Sequence, residues 1–119
     1  KLTRGIVVRQ AKSNEEIDLL DGSRHSLSPE TMVIADSAGA IAIAGVMGGE
    51  GSAVSENTRN IVLEAAYFSP SGVAGQARRY ALHTDASHRF ERGVDPTLPY
   101  VASHYATSLL KNITGGSML

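Results

Sequence analysis

The sequence contains no cysteine, which removes a disulfide framework and any thiolate metal site while leaving the redox compartment open. It also lacks a long apolar run. The longest such stretch, Ala38 to Met47, is broken by Gly39 and Gly45 and is much shorter than the roughly 20 residues that span a bilayer, so no membrane segment is expected. No charge of either sign dominates. Eleven Lys plus Arg against twelve Asp plus Glu leave a formal net charge of -1, so the overall balance demands no polyanionic partner and any RNA contact must be local. The opening Lys1-Leu2-Thr3-Arg4-Gly5 has neither an initiator Met nor an apolar signal core, the pattern expected of a segment taken from within a longer, cytoplasmic protein. What is present is enough chain, 119 residues, for a single domain spanning 1–119 with a real core.

The first part of the chain reads as β-structure. Ile6-Val7-Val8 is a short β-branched run, and Ile17 to Leu20 is another, closed by the hairpin-turn dipeptide Asp21-Gly22. Ser28-Pro29 marks a further turn. Met32 to Asp36 and Ile41 to Ala44 then read as two strands of a hairpin joined through Ser37 to Gly39. Gly45-Val46-Met47-Gly48-Gly49-Glu50-Gly51 reads as a loop, and Ile61 to Phe68 as a mostly buried strand that is apolar apart from Glu64. Helices follow. Ser69-Pro70 is a start signal for a helix reaching Leu82, with Val73, Ala77, Tyr80 and Ala81 at helical spacing. A shorter helix is expected from Ala86 to Arg92, stopped by Gly93, and a longer one after Asp95-Pro96, stopped by Gly115-Gly116. The longer helix carries the apolar stripe Leu98, Val101, Tyr105, Leu109 and Ile113. Strands first and helices last, without βαβ alternation, predict an α+β fold.

Several familiar chemistries lack their motifs. The glycine segment has no Lys-Ser or Lys-Thr and no Gly-x-Gly-x-x-Gly spacing, so it does not read as a phosphate loop. Tight turns needing positive φ, or a pocket wall of bare backbone, are the two readings that remain. His25, His83, His88 and His104 form no His-Glu-x-x-His pair, and no Gly-x-Ser-x-Gly elbow accompanies the serines. No metal is expected. Glu64 is more informative, because a carboxylate in an apolar strand must be paired, lie at a sheet end, or sit where something binds. Alternation puts it on one face with Val62, Ala66 and Phe68. An ion pair with Arg59, Arg78 or Arg79 competes with a site role. Arg78, Arg79, Arg89 and Arg92 could face phosphates, although solvation or pairing with carboxylates such as Glu91 and Asp95 is the favoured reading.

The string from Arg78-Arg79-Tyr80-Ala81-Leu82-His83-Thr84-Asp85-Ala86-Ser87-His88 to Arg89-Phe90-Glu91-Arg92-Gly93-Val94-Asp95-Pro96 closely resembles the B3/B4 region of bacterial phenylalanyl-tRNA synthetase beta subunits. The resemblance continues through Ile61 to Pro70, through Gly45 to Ser52, and back to Gly5-Ile6-Val7-Val8-Arg9. It implies a layered α+β domain built on a β-sandwich of SH3-like barrel topology with helices packed outside. It also implies a parent α2β2 enzyme that uses ATP and Mg2+ on its alpha subunit, with no cofactor in this segment. The activity implied here is editing, the hydrolysis of tyrosine wrongly esterified to the 3′ end of tRNA(Phe). Such a step has a physical reason, since a hydrophobic synthetic pocket rejects an added hydroxyl by only about 100-fold. By that resemblance Glu64 accepts a hydrogen bond from the tyrosine phenol, and Gly48 and Gly49 belong to a glycine-lined wall. Thr84 and Ala86 flank the ester and the attacking water, with His83 and Asp85 as neighbours. Capping of the following helix is a second reading for Thr84 and Asp85. The family carries a further editing-site histidine upstream of this sequence's first residue, so the resemblance implies weak or absent turnover by these 119 residues alone.

Overall fold

The computed structural model describes residues 5–118; Lys1 to Arg4 and Leu119, including the opening stretch just discussed, lie outside the described residues. Six strands come first: β1 (Val7–Gln10), β2 (Glu16–Asp18), β3 (Arg24–Ser26), β4 (Met32–Ala35), β5 (Ala40–Ile43) and β6 (Met47–Gly48). Four helices follow: α1 (Pro70–Val73), α2 (Gln76–Arg79), α3 (Asp85–Arg92) and α4 (Leu98–Thr114). The fold is α+β, as the order of patterns predicts.

β1, β4, β5 and β6 form one antiparallel sheet in that order, and β2 pairs with β3 in a separate hairpin. Gly22 closes the hairpin with φ 82°, a conformation that costs glycine nothing and most residues about 1 kcal/mol or more. The hairpin is tied to the sheet where Leu19 bridges Gly49 and the Leu20 amide donates to the Gly48 carbonyl at 3.1 Å. The sheet stays open, with β1 and β6 at its edges. No closed barrel forms among the described residues, so the SH3-like topology implied by the resemblance is not what these strands build by themselves.

Alternation along β4 divides the interior into two layers. Val33 and Ala35 join Leu19, Ile43, Val46, Ala77, Tyr80 and Leu82 in a core between the sheet, the hairpin and α2. Ile34, between them in sequence, joins Ala44, Phe68 and Val73 on the opposite face, where Phe90 and Ala66 pack half-buried. Glu15 fixes the seam between elements: it receives Arg9 at 2.7 Å, the Lys12 amide at 2.8 Å and the Ala40 amide at 2.9 Å. With all these donors converging, its carboxyl pKa is lowered from 4.5 to about 2, the Arg9 hydrogen bond being the largest cause.

Several expectations need correction. The helix predicted from Pro70 to Leu82 is two short helices, because Gly75 between them adopts φ 76°, which ends the first turn and restarts the chain. Ser69 makes no cap bond there; its hydroxyl meets that of Ser71 instead. The strand predicted over Ile61 to Phe68 is absent: these residues carry no regular structure, and only Phe68 is buried. The stripe on α4 is real in register, yet α4 has no buried residue. Asp95 does not cap α4 but closes a turn on the Thr97 amide and hydroxyl, both at 2.8 Å. Gly93 and Gly115 end α3 and α4 with φ 92° and 67°, as glycine at those positions predicts. No helix among the described residues is long and apolar enough to cross a membrane.

Candidate functional site

Three sequence segments far apart in the chain meet at one turn. Gly45 leaves β5 with φ 69°, and a Cβ at that position would lie 3.2 Å from Phe68, 3.3 Å from Val73 and 3.4 Å from Phe90. Bare backbone is required there twice over, by the dihedral and by the space. Phe68 and Phe90 meet edge to face with ring centroids 5.1 Å apart, a favoured aromatic geometry. One residue past the turn, the Val46 carbonyl accepts the Thr84 hydroxyl at 2.8 Å. The glycine-rich segment, the apolar segment ending in Phe68 and the start of α3 are therefore held against each other.

Thr84 is the N-cap of α3. Its Oγ1 accepts from the Ser87 amide at 3.0 Å, while the Ser87 hydroxyl receives the Thr84 amide at 3.2 Å and donates to the Thr84 carbonyl at 2.9 Å. The capping reading thus describes Thr84 well. The hydroxyl proton is committed to Val46, which leaves Thr84 no proton to give and one lone pair to offer. Ser87, buried at the third position of the helix, was not singled out by sequence, although Thr-x-x-Ser before a helix is a capping pattern. Phe90 and the Val46 carbonyl were missed for a different reason: only folding places them beside Phe68 and Thr84. Among the described residues the amides of Asp85 and Ala86 have no hydrogen-bond partner, as expected of the first residues of a helix. Ala86 is half-buried, and the His83 and Asp85 side chains are exposed.

Gly48 and Gly49 belong to the sheet side of this region. Gly48 pairs with Ala42, and a Cβ on it would come within 3.2 Å of Leu20. Gly49 donates to the Ile41 carbonyl at 2.7 Å, and a Cβ would stand 2.8 Å from that same oxygen. Both glycines are explained by close approach of the protein's own atoms. Gly49 also lines a groove of about 380 Å³ with Ile17, Asp36, Gly39, Ile41 and Ser52. A second groove, about 600 Å³, runs along Ser52 to Val62 and includes Arg59. Neither contains Glu64, Thr84 or Ala86.

Glu64 is exposed and sits four residues before the Phe68 anchor. Nearby chain still removes enough water from its carboxyl to raise the pKa above the ordinary value, desolvation being the cause. No arginine offsets this among the described residues. Arg59 donates to the Glu56 and Thr58 carbonyls, Arg79 to Ser28 and Glu30, and Arg92 to the His88 carbonyl. Arg78 and Arg89 are exposed, and Glu91 accepts from the Gly75 amide rather than from an arginine. The ion-pair reading of Glu64 is set aside, and neither of the two grooves reaches it.

Comparison with known proteins gives a family. The model of the B3/4 domain matches residues 1–115. The chain is 54% identical to a phenylalanine–tRNA ligase beta subunit of Photorhabdus laumondii subsp. laumondii, 52% to that of Yersinia pestis and 53% to that of Nitrosococcus oceani, each over 116 residues and 98% of this chain. In each case the matched part is 15% of the relative's length, so the chain spans about 15% of the curated relatives it matches.

Proposed function

The chain belongs to the B3/4 domain family, and from that premise we propose that it forms part of an editing site that hydrolyses tyrosine from mischarged tRNA(Phe). The observation that supports this reading is the convergence at Gly45 and Val46, where Phe68 packs and Thr84 bonds, which ties the segment that ends in Phe68 to the start of α3. Glu64 supplies the acceptor for the tyrosine phenol. A phenylalanine ring there leaves the carboxylate without a donor, and a site built to hydrogen-bond a hydroxyl rejects an analogue that lacks it far more strongly than an apolar pocket does.

The reaction is attack of water on the ester carbonyl carbon, followed by breakage of the bond to the ribose oxygen of the terminal adenosine. With its proton engaged by Val46, Thr84 acts as the strut that sets the α3 terminus. Its neighbours Asp85 and Ala86 supply free amides where the ester oxygen gains negative charge, the arrangement that stabilises an oxyanion. His83 and Asp85 line the approach, and Gly48 and Gly49 form the sheet-side wall. The 119 residues act as part of one domain. Partners are the 3′ end of tRNA(Phe) carrying tyrosine and, through an α2β2 enzyme, an alpha subunit that binds ATP and Mg2+; the domain itself takes no cofactor. The enzyme works in the cytoplasm. Closure of an SH3-like barrel and of the pocket requires polypeptide additional to the six strands here.

The assay is release of tyrosine from Tyr-tRNA(Phe) by the complete heterotetramer carrying Glu64→Ala or Thr84→Ala. Each substitution is expected to slow deacylation by tenfold or more while leaving Phe-tRNA(Phe) synthesis intact; wild-type deacylation in both variants rejects the site. A tRNA-binding or subunit-interface module without chemistry is the second reading, favoured by the exposed Arg78 and Arg89. Tight tRNA binding without any turnover by the wild-type heterotetramer would select it.

A further inference from the structure

Asp21-Gly22 is the one Asp-Gly pair in the sequence, and there is no Asn-Gly pair. It lies at the exposed tip of the hairpin between β2 and β3. Such a pair can rearrange, because glycine has no Cβ to shield its amide from the neighbouring carboxyl carbon. The Gly22 nitrogen attacks the Asp21 Cγ and loses its proton, one carboxyl oxygen departs as water, and a five-membered succinimide results. Water then opens the ring. Attack at Cγ restores aspartate; attack at the original main-chain carbonyl carbon breaks its bond to the Gly22 nitrogen and leaves isoaspartate. One water is lost and one regained, so the chain keeps its mass and needs no co-reactant.

Sterics do not prevent this, since a Cβ on Gly22 would meet nothing within 4 Å. Hydrogen bonds do. The Gly22 amide donates to the Leu19 carbonyl at 2.9 Å, so its proton is given up only against that bond. Asp21 Oδ1 accepts the Ser23 amide at 2.9 Å and the Ser23 hydroxyl at 2.6 Å. A carboxylate only accepts, so the Ser23 proton belongs to Asp21 and the His25 Nε2 proton is left to donate to Ser23 Oγ, 2.9 Å away. The half-buried His25 ring in turn packs edge to face on buried Tyr80, centroids 5.4 Å apart. We propose that Asp21-Gly22 is a latent isoaspartate site, which Ser23, backed by His25, keeps unreacted in the folded hairpin. The two bonds from Ser23, its hydroxyl first, also hold the Asp21 carboxyl below its ordinary pKa, and an ionised carboxyl has no water to release. Isoaspartate adds one methylene to the main chain inside the turn. The 2.9 Å bond from the Leu19 amide to the Ser23 carbonyl and the Asp18–Arg24 register both span that turn, and the hairpin's ties to Gly48 and Gly49 start from Leu19 and Leu20. Conversion therefore loosens the hairpin from β6. The inference stands apart from the deacylation reading.

The test is ageing of the assembled enzyme, containing a full-length beta subunit, at neutral pH and physiological temperature. Isoaspartate at residue 21 is followed by enzymatic methyl transfer to the isoaspartyl carboxyl, and by electron-transfer fragmentation of the peptide that contains it, which separates isomers of equal mass. Folded wild type is expected to convert at least tenfold more slowly than a synthetic peptide of residues 17–27, whose reacting groups are free to align; equal rates overturn the proposal, and this comparison needs no variant. Ser23→Ala is expected to speed conversion by about tenfold, as for loss of one hydrogen bond to a charged group. Ser23→Thr, which keeps the hydroxyl, is expected to age like wild type. Circular dichroism accompanies both, so that an unfolded variant is not counted. A folded Ser23→Ala that ages at the wild-type rate overturns the proposal, as does a folded Ser23→Thr that ages as fast as Ser23→Ala.

Discussion

Val33 and Leu63 are both apolar residues inside β-forming runs, but Val33 is fully buried in the sheet and Leu63 is 43% exposed in a stretch with no regular structure. The contrast extends to whole regions. From β1 to β6 each strand finds its partner within 50 residues, and the side chains it turns inward meet α2, α1 or the hairpin. Ile61 to Tyr67 and α4 have equally clear patterns, but among the described residues most of their apolar side chains stay exposed. An apolar pattern states that a face needs cover; whether the cover lies in the same stretch of chain is a separate fact, decided by tertiary partners. Among the described residues the apolar pattern of the second half is left largely exposed.

The largest expected effects sharpen this contrast. Leu19→Ala, in the closed core, is expected to lower unfolding free energy by about 3 kcal/mol, whereas Ile113→Ala on exposed α4 changes it by less than about 0.5 kcal/mol. Urea unfolding followed by circular dichroism measures both; a similar loss for Ile113→Ala would mean that α4 packs on the chain after all. Next comes Glu15, whose side chain is only 11% exposed. A carboxyl with a depressed folded pKa contributes stability that is complete above its unfolded value and lost on acidification. Stability should therefore fall as pH drops from about 4.5 to about 2, and Glu15→Gln should cost about 2 kcal/mol at pH 7 and remove much of that pH dependence. A variant with the wild-type acid profile would show that other carboxylates control it.

Smaller effects probe the junction between the two regions. Thr84→Val keeps the shape but loses the cap and the bond to Val46, and is expected to cost about 1 kcal/mol, with faster amide exchange at the start of α3. No change in either readout would mean that the Gly45 turn and α3 are held by the aromatic contact alone. Glu64→Gln is expected to have the smallest effect on folding. A raised carboxyl pKa means that the folded state holds its proton more tightly than the unfolded chain, so the charge opposes folding above the unfolded pKa and the penalty grows as pH rises through the folded value. The glutamine variant should be as stable as wild type at pH 7, or slightly more so; clear destabilisation would reveal a partner for the carboxylate.

How much of this was legible in the sequence follows the same division. The Asp21-Gly22 hairpin, the strand pair around Ser37 to Gly39, and the glycine stops at Gly93 and Gly115 were readable because their causes are local dihedral preferences. Gly75 was passed over because the helical spacing of Val73, Ala77 and Tyr80 reads as one helix, although Val73 enters one core layer and Ala77 and Tyr80 the other. β6 was hidden in the glycine segment, since Gly48 and Gly49 are chosen for close approach to Leu20 and Ile41 rather than for strand propensity. At the candidate site, the capping role of Thr84 was visible in its neighbours. Its bond to Val46, 38 residues away, was not, because no local pattern encodes a contact between two turns.

The most direct measurement of the central claim is the ratio of single-turnover deacylation rates for Tyr-tRNA(Phe) and Phe-tRNA(Phe) in the complete enzyme, with and without Glu64→Gln. If Glu64 accepts the tyrosine hydroxyl, the amide substitution should reduce that ratio by tenfold or more, chiefly by slowing tyrosine release, while aminoacylation stays at the wild-type rate. An unchanged ratio would contradict the account, since discrimination would then come from somewhere other than this carboxylate.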